Sequence, residues 1–318
     1  MNAITDELAF AAVRAPIAAA IAAAQFTGRG DERAADQAAV DAMRAALNAL
    51  PIKGRVVIGE GERDEAPMLY IGEKVGAAPG RGPKIDIALD PLEGTTITAK
   101  AGPNALAVLA VAEEGGLLNA PDVYMDKLAV GPGYPEGIID LDKSPTENVK
   151  AVAAAKGVEP GDIIVCVLDR PRHGAIIEAL RAVGARVHLI GDGDIAGVIN
   201  CTNPETGIDM YVGSGGAPEG VLAAAALKCV GGQFQGRLIV RNDEERIRAE
   251  HAGITDLKRR YTLDELVSAD AIFIATGVTT GSLLYGVKFV AGIVHTNTLV
   301  MNSATRTVSE LRLKQPIG

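Results

Sequence analysis

The sequence predicts an α/β protein with layered sheets. Three observations carry this. Short runs rich in Val, Ile and Leu alternate with segments of helical periodicity. Two of those runs end in Gly-containing acidic turns, and in open α/β sheets ligands sit where strands end. The 318 residues are 48% hydrophobic and 22% charged, the balance of a folded chain that buries a sizeable core. At ~100–200 residues per domain, this length fits two packed domains.

The elements follow in order. The stretch from Ile4 to about Gln25 is dominated by Ala, a strong helix former, and Pro16 is expected to kink or break it. Gly28-Arg29-Gly30-Asp31 reads as a turn, with Asp31 capping a helix from Glu32 to Leu50. Ala39, Met43, Ala46, Leu47 and Leu50 recur there at helical spacing, and Pro51 stops it. Arg55–Gly59 is a β-branched strand that runs into Gly59-Glu60-Gly61-Glu62-Arg63-Asp64-Glu65. A helical pattern resumes from Ala66 to Val75. Ile85–Leu89 is a second strand, ending at Asp90-Pro91-Leu92-Glu93-Gly94-Thr95, and Ala105–Ala112 is a third. A helix holds Val149–Ala155, and a domain boundary is expected beside it, giving domains 1–158 and 159–318. Asp162–Leu168, Arg186–Ile190, Ile208–Val212 and Ala271–Ala275 read as further strands. The charged segment 242–260 reads as a solvated helix and loop.

Composition narrows the function. Lys and Arg number 31 against 40 Asp and Glu, a formal charge of −9. That argues against a nucleic-acid partner, which needs a basic surface. Aromatic content of 3% with no Trp leaves no platform for stacked bases. Cys166, Cys201 and Cys229 are too scattered for a disulfide framework or a thiolate zinc site and read as small buried hydrophobes. Four His with no H-x-x-x-H spacing argue against a zinc hydrolase. Asp6 and Glu7 stand where a secretory signal would carry positive charge, and no apolar run is seen to approach the ~20 residues of a membrane span. The expectation is a soluble cytoplasmic protein with no membrane partner.

The two acidic turns carry the chemistry. One such turn is commonly just a turn and a helix cap. Two, each with compactly spaced carboxylates, point to a divalent cation, because gathered carboxylates repel unless a cation bridges them. Pro91 stiffens the second turn, Gly94 allows close backbone approach, and Thr95 offers a hydroxyl and a possible helix start that favours phosphate. Arg170-Pro171-Arg172-His173 and Asp192-Gly193-Asp194 each follow a strand. Arginine suits bidentate phosphate recognition, and carboxylates in such a loop accept sugar hydroxyls or cap a helix. Gly213-Ser214-Gly215-Gly216-Ala217-Pro218-Glu219-Gly220 lies between a strand and an Ala-rich helix. As a dinucleotide fingerprint it fails, since the third glycine falls on Pro218; a phosphate-cradling turn with Glu219 as a metal ligand fits better.

Asp-Pro-Leu-Glu-Gly-Thr at 90–95 resembles the signature of the lithium-sensitive, metal-dependent phosphomonoesterases. The Gly28–Asp31 turn, Val57–Glu62 with Asp64–Tyr70, Asn119–Met125, Arg170–His173, Asp192–Asp194 and Gly215–Gly220 resemble the class II bacterial fructose-1,6-bisphosphatases, over about Glu7 to Arg312. The resemblance implies a layered αβαβα sandwich and a Mg²⁺- or Mn²⁺-dependent enzyme. It implies metal ligands at Asp36, Glu60, Asp90, Glu93 and Glu219, and Asp64, Thr95 and Glu60 in turnover. Glu93, Gly94 and Thr95 match the stretch that meets the reacting phosphate. Tyr124, Arg170, Arg172, Asp192, Asp194 and Gly216 match substrate-binding positions, with Arg172 on the distal phosphate and His173 in a supporting place. Thr95, hydrogen-bonded to Asp64, would orient the attacking water. The implied reaction removes the 1-phosphate of fructose 1,6-bisphosphate in gluconeogenesis, in a homodimer or homotetramer. Two alternatives stay open: a sedoheptulose-1,7-bisphosphatase or inositol-type monophosphatase activity, and a non-catalytic phosphosugar or cation sensor.

Overall fold

A computed structural model describes residues 3–60, 69–77 and 82–317. The chain divides into two units, Met1–Leu118 with Val267–Gly318, and Asn119–Leu266.

The first unit opens with α1 (Asp6–Ala12) and α2 (Arg14–Ala24). They part at Val13, ahead of Pro16. Pro16 sits in the first turn of α2, where a missing N–H costs nothing. Contrary to the sequence expectation, the run Asp6–Ala24 is long and apolar enough by length and composition to cross a membrane. Half of it is buried, and Ala12, Ile17, Ala20 and Ala23 belong to the unit's core. The next helix, α3 (Glu32–Asn48), begins where expected, with the Asp31 carboxylate accepting the Ala34 N–H at 2.9 Å. Its Ala35, Ala39, Met43 and Leu47 are buried in the same core.

Three strands follow: β1 (Lys53–Ile58), β2 (Lys74–Val75) and β3 (Lys84–Glu93). The helix expected over 66–75 is absent from its described part. Gly72 donates to the Val56 carbonyl at 2.7 Å and Val56 donates to Glu73 at 2.9 Å, so pairing with β1 overrides local helix propensity. A short α4 (Thr95–Ala99) leads to β4 (Leu106–Glu113), antiparallel to β3.

The second unit comprises β5 (Tyr124–Val130), α5 (Pro145–Lys156), β6 (Ile164–Leu168), α6 (Gly174–Ala182), β7 (Arg186–Ile190), α7 (Asp194–Asn200), β8 (Met210–Gly216), α8 (Ala217–Val230), β9 (Gln233–Ile239), α9 (Asp243–His251), β10 (Arg260–Thr262) and α10 (Leu263–Leu266). Its sheet runs β10-β9-β5-β8-β6-β7, with β6 parallel to β7 and β8 and the other pairs antiparallel. Leu128, Val149, Val152, Val165, Leu180 and Met210 form part of its own core.

The chain then returns to the first unit as β11 (Ala271–Gly277), β12 (Lys288–Val290), β13 (Ile293–Asn302) and β14 (Thr307–Pro316). That sheet runs β12-β13-β11-β4-β3-β1-β2, with β14 on β13. Two mixed sheets with their helices establish the α/β class and are consistent with an α/β sandwich. The chain does not divide at 158/159. β5 and α5 belong to the second unit, and β11–β14 to the first. The reason is pairing: β5 lies between β8 and β9, and β11 lies beside β4.

Candidate active site

In the first unit β1 and β3 run parallel, so their C-terminal ends share one edge of the sheet. Glu60 follows the first, and Asp90 and Glu93 lie at the end of the second. The turn expected at 90–95 is strand as far as Glu93. Between Asp90 and Glu93, β3 takes three steps while β4, from Val108 to Leu106, takes two. Pro91, with no N–H to donate, falls within this bulge, and the Asp90 carboxylate accepts the Leu92 N–H at 3.0 Å. Bulges re-aim side chains. Here one carboxylate oxygen of Asp90 comes within 4.8 Å of one of Glu93. Glu93 is buried and Asp90 half-buried. Two such oxygen donors fit a hard divalent cation, which relieves their repulsion.

Asp36 is half-buried on α3, and burial holds its carboxyl above the usual range. Glu60 donates its backbone N–H to the Leu69 carbonyl at 3.0 Å. Among the described residues of this unit, neither joins Asp90 and Glu93 in a group of that size. Asp64 lies outside the described residues. Gly94 adopts φ 89°, ψ 55°, a left-handed conformation that suits glycine, and Thr95 begins α4 as anticipated.

In the second unit, β6, β7 and β8 end at one edge of the sheet. Arg170 and Arg172, Asp192 and Asp194, and Gly216 and Glu219 come from these three ends. Tyr124 opens the antiparallel β5 opposite Gly216, and β9 ends beside it with Ile239 opposite Tyr124. The glycine-rich segment expected as a turn is strand through Gly216, because residues 124–127 pair with it. Glu219 lies in the first turn of α8, where the helix dipole favours negative charge. A Cβ on Gly216 would stand 1.9 Å from its Oε2, so a larger residue there would push the Glu219 carboxylate aside.

Arg172 is anchored on β8. Its Nη2 donates to the Ser214 carbonyl at 2.7 Å and its Nε to Ser214 Oγ at 3.1 Å. The buried His173 accepts the Ser214 N–H on Nε2 at 2.8 Å, so Nδ1 carries the proton and donates to the Leu168 carbonyl at 2.8 Å. Burial holds this ring below its ordinary pKa. Arg170 reaches Asp192 at 3.3 Å in a part-exposed pair. Asp194 is buried at the start of α7, and its carboxylate accepts from the buried Lys127 ammonium at 2.5 Å.

Sequence reasoning missed three participants: Lys127, Ser214 and Arg241. Arg241 lies two residues beyond β9, and its guanidinium stands 4.5 Å from the centre of the Tyr124 ring, with Arg172 at 5.0 Å from the same ring. Glu245 holds Arg241 through an Nε–Oε1 bond of 2.8 Å. The available signals were a lysine flanked by Asp126 and the apolar run Leu128–Val130, and an Arg241–Glu245 pair at helical i,i+4 spacing. The three cysteines are buried as expected, and burial pushes the Cys166 thiol up to about 12, which makes it a poor nucleophile.

The family model "Bacterial fructose-1,6-bisphosphatase, glpX-encoded" matches residues 6–315. A protein of Synechococcus sp. (strain JA-3-3Ab) is 46% identical over 313 residues, covering 91% of this chain and 90% of its own length. It is named D-fructose 1,6-bisphosphatase class 2/sedoheptulose 1,7-bisphosphatase. A protein of the same name from Synechococcus elongatus is 45% identical over 312 residues, with the same coverage.

Proposed function

Because the chain belongs to the glpX-encoded bacterial fructose-1,6-bisphosphatase family, we infer that it hydrolyses fructose 1,6-bisphosphate, and we propose which residues carry that reaction. It is a phosphatase of a sugar bisphosphate. The structural observation that supports the site is the Asp90–Glu93 carboxylate pair set by the β3 bulge.

We propose that Asp90 and Glu93, with Asp36, Glu60 and Glu219 as further ligands, hold Mg²⁺ or Mn²⁺. When bound, such an ion neutralises phosphoryl charge and lowers the pKa of water. Gly94 leaves the reacting phosphate room to approach the first turn of α4. Thr95 binds that phosphate and orients the attacking water together with Asp64. Arg172, held in place by Ser214, meets the distal phosphate, with Arg170 and Tyr124 beside it. Asp192 and Gly216 contact the sugar. The scissile group is the 1-phosphate, and the products are fructose 6-phosphate and phosphate. We extend this reading to gluconeogenesis, a cytoplasmic place and a homodimer or homotetramer, on the strength of the family resemblance. A second activity on sedoheptulose 1,7-bisphosphate is supported by the paired name that the Synechococcus relatives carry.

Purified protein supplied with Mn²⁺ or Mg²⁺ is expected to release phosphate from fructose 1,6-bisphosphate, and chelation is expected to stop it. Glu93→Gln is expected to lower kcat by about 10²-fold or more, because it removes a charged ligand from the site. No release with either ion would overturn the reading. Release from inositol monophosphate alone would move the substrate class.

A further inference from the structure

The resemblance assigns Asp194 to the substrate, yet its carboxylate is engaged below the surface. Lys127 stands mid-strand in β5, and its side chain is fully buried. An ammonium without water needs a counter-charge, and Asp194 Oδ2 supplies it at 2.5 Å. The glycines around the pair make its slot. A Cβ on Gly215 of β8 would stand 2.1 Å from Asp194 Oδ2 and 3.2 Å from Lys127 Nζ. A Cβ on Gly220 of α8 would meet Met125 Sδ at 2.6 Å and Lys127 Cε at 3.3 Å. The glycine-rich segment that spans the end of β8 and the start of α8 therefore houses a buried ion pair.

The pair ties the middle of the sheet to one point on its active edge. Asp194 is the first residue of α7, immediately after Gly193, whose φ of 79° sets the loop's sharp turn. Asp192 precedes it and faces Arg170. We propose that Lys127 is a positioning residue: by gripping Asp194 it fixes the start of α7 and holds the Asp192–Gly193 loop in place for the sugar, and Asp194 serves this tether and not the substrate. The proposal rests on the sugar-bisphosphatase reading for what the loop contacts. The tether itself does not depend on that reading.

Three proteins are compared: wild type, Lys127→Met, and the apolar pair Lys127→Met/Asp194→Leu. Each is assayed for KM and kcat on fructose 1,6-bisphosphate with Mn²⁺, for thermal midpoint, and for hydrogen exchange of the 194–200 amides. Lys127→Met is expected to raise KM about 10-fold or more with kcat within about 3-fold, because the loop is misplaced, and to speed exchange at α7. The apolar pair removes the stranded carboxylate and is expected to bring midpoint, exchange and KM back together. A KM that stays raised while exchange recovers means that Asp194 touches the substrate, and overturns the second half of the proposal. A lowered midpoint with unchanged KM and unchanged α7 exchange means a merely structural pair, and overturns the whole. Should Lys127→Met not fold, Asp194→Asn, which keeps an oxygen for the ammonium, is read by the same exchange and KM. Wild type inactive on fructose 1,6-bisphosphate would count against the functional reading alone, since the exchange measurements still decide the tether.

Discussion

His173 shows how one side chain joins stability to the site. Its ring is neutral because Nε2 must accept the Ser214 N–H while Nδ1 donates to Leu168. Burial is the largest cause of its lowered pKa. A histidine depressed in the fold takes up its proton in the unfolded chain first, so protonation favours unfolding. The stabilisation is complete above the ordinary value of about 6.5 and declines as pH falls toward the lower folded value. Denaturation midpoints measured from pH 7.5 down to about 5 are expected to fall, and His173→Gln, with no such proton to take up, is expected to show a flatter profile over that window. A slope the same in both proteins would refute the assignment. The residue types here were legible in the sequence, since Arg-Pro-Arg-His after a strand marks a loop of interest. Its hydrogen-bond partners were not, because Ser214 lies 41 residues away in sequence, on β8.

Elements were legible where the signal is local. Asp31 caps α3 as read, and β4, β6, β7 and β11 lie where the β-branched runs lie. Ser144 caps α5 in a capping box with Glu147, whose side chain accepts the Ser144 N–H at 2.8 Å. Ser144→Ala is expected to cost about 1 kcal/mol, read as a roughly fivefold faster hydrogen exchange in the first turn of α5. Unchanged exchange there would show that the cap carries no stability. Strands β5, β9, β10 and β12–β14 were not read from the sequence. Several mix polar and small residues, such as Gly236 in β9, and are held by their neighbours more than by their own propensity. The bulge in β3 was equally hidden, since it exists only relative to β4.

At the scale of the molecule, the first unit is assembled from both ends of the chain and the second is one continuous segment. A segment with its own sheet and core is expected to fold alone. The fragment 119–266 should unfold cooperatively by circular dichroism, while 1–158, which lacks β11 beside β4 and β13 beyond it, should not. The opposite result would restore the boundary read from the sequence. The order of residues was enough to establish the α/β class, the carboxylates at two strand ends and the family, because periodicity, turns and motifs are written within a few neighbouring positions. The unit boundary, the closeness of Asp90 to Glu93 and the Lys127–Asp194 tether came only with the tertiary structure. They depend on strand pairing and register between distant segments, and nothing in a local pattern specifies which strand a given strand will meet.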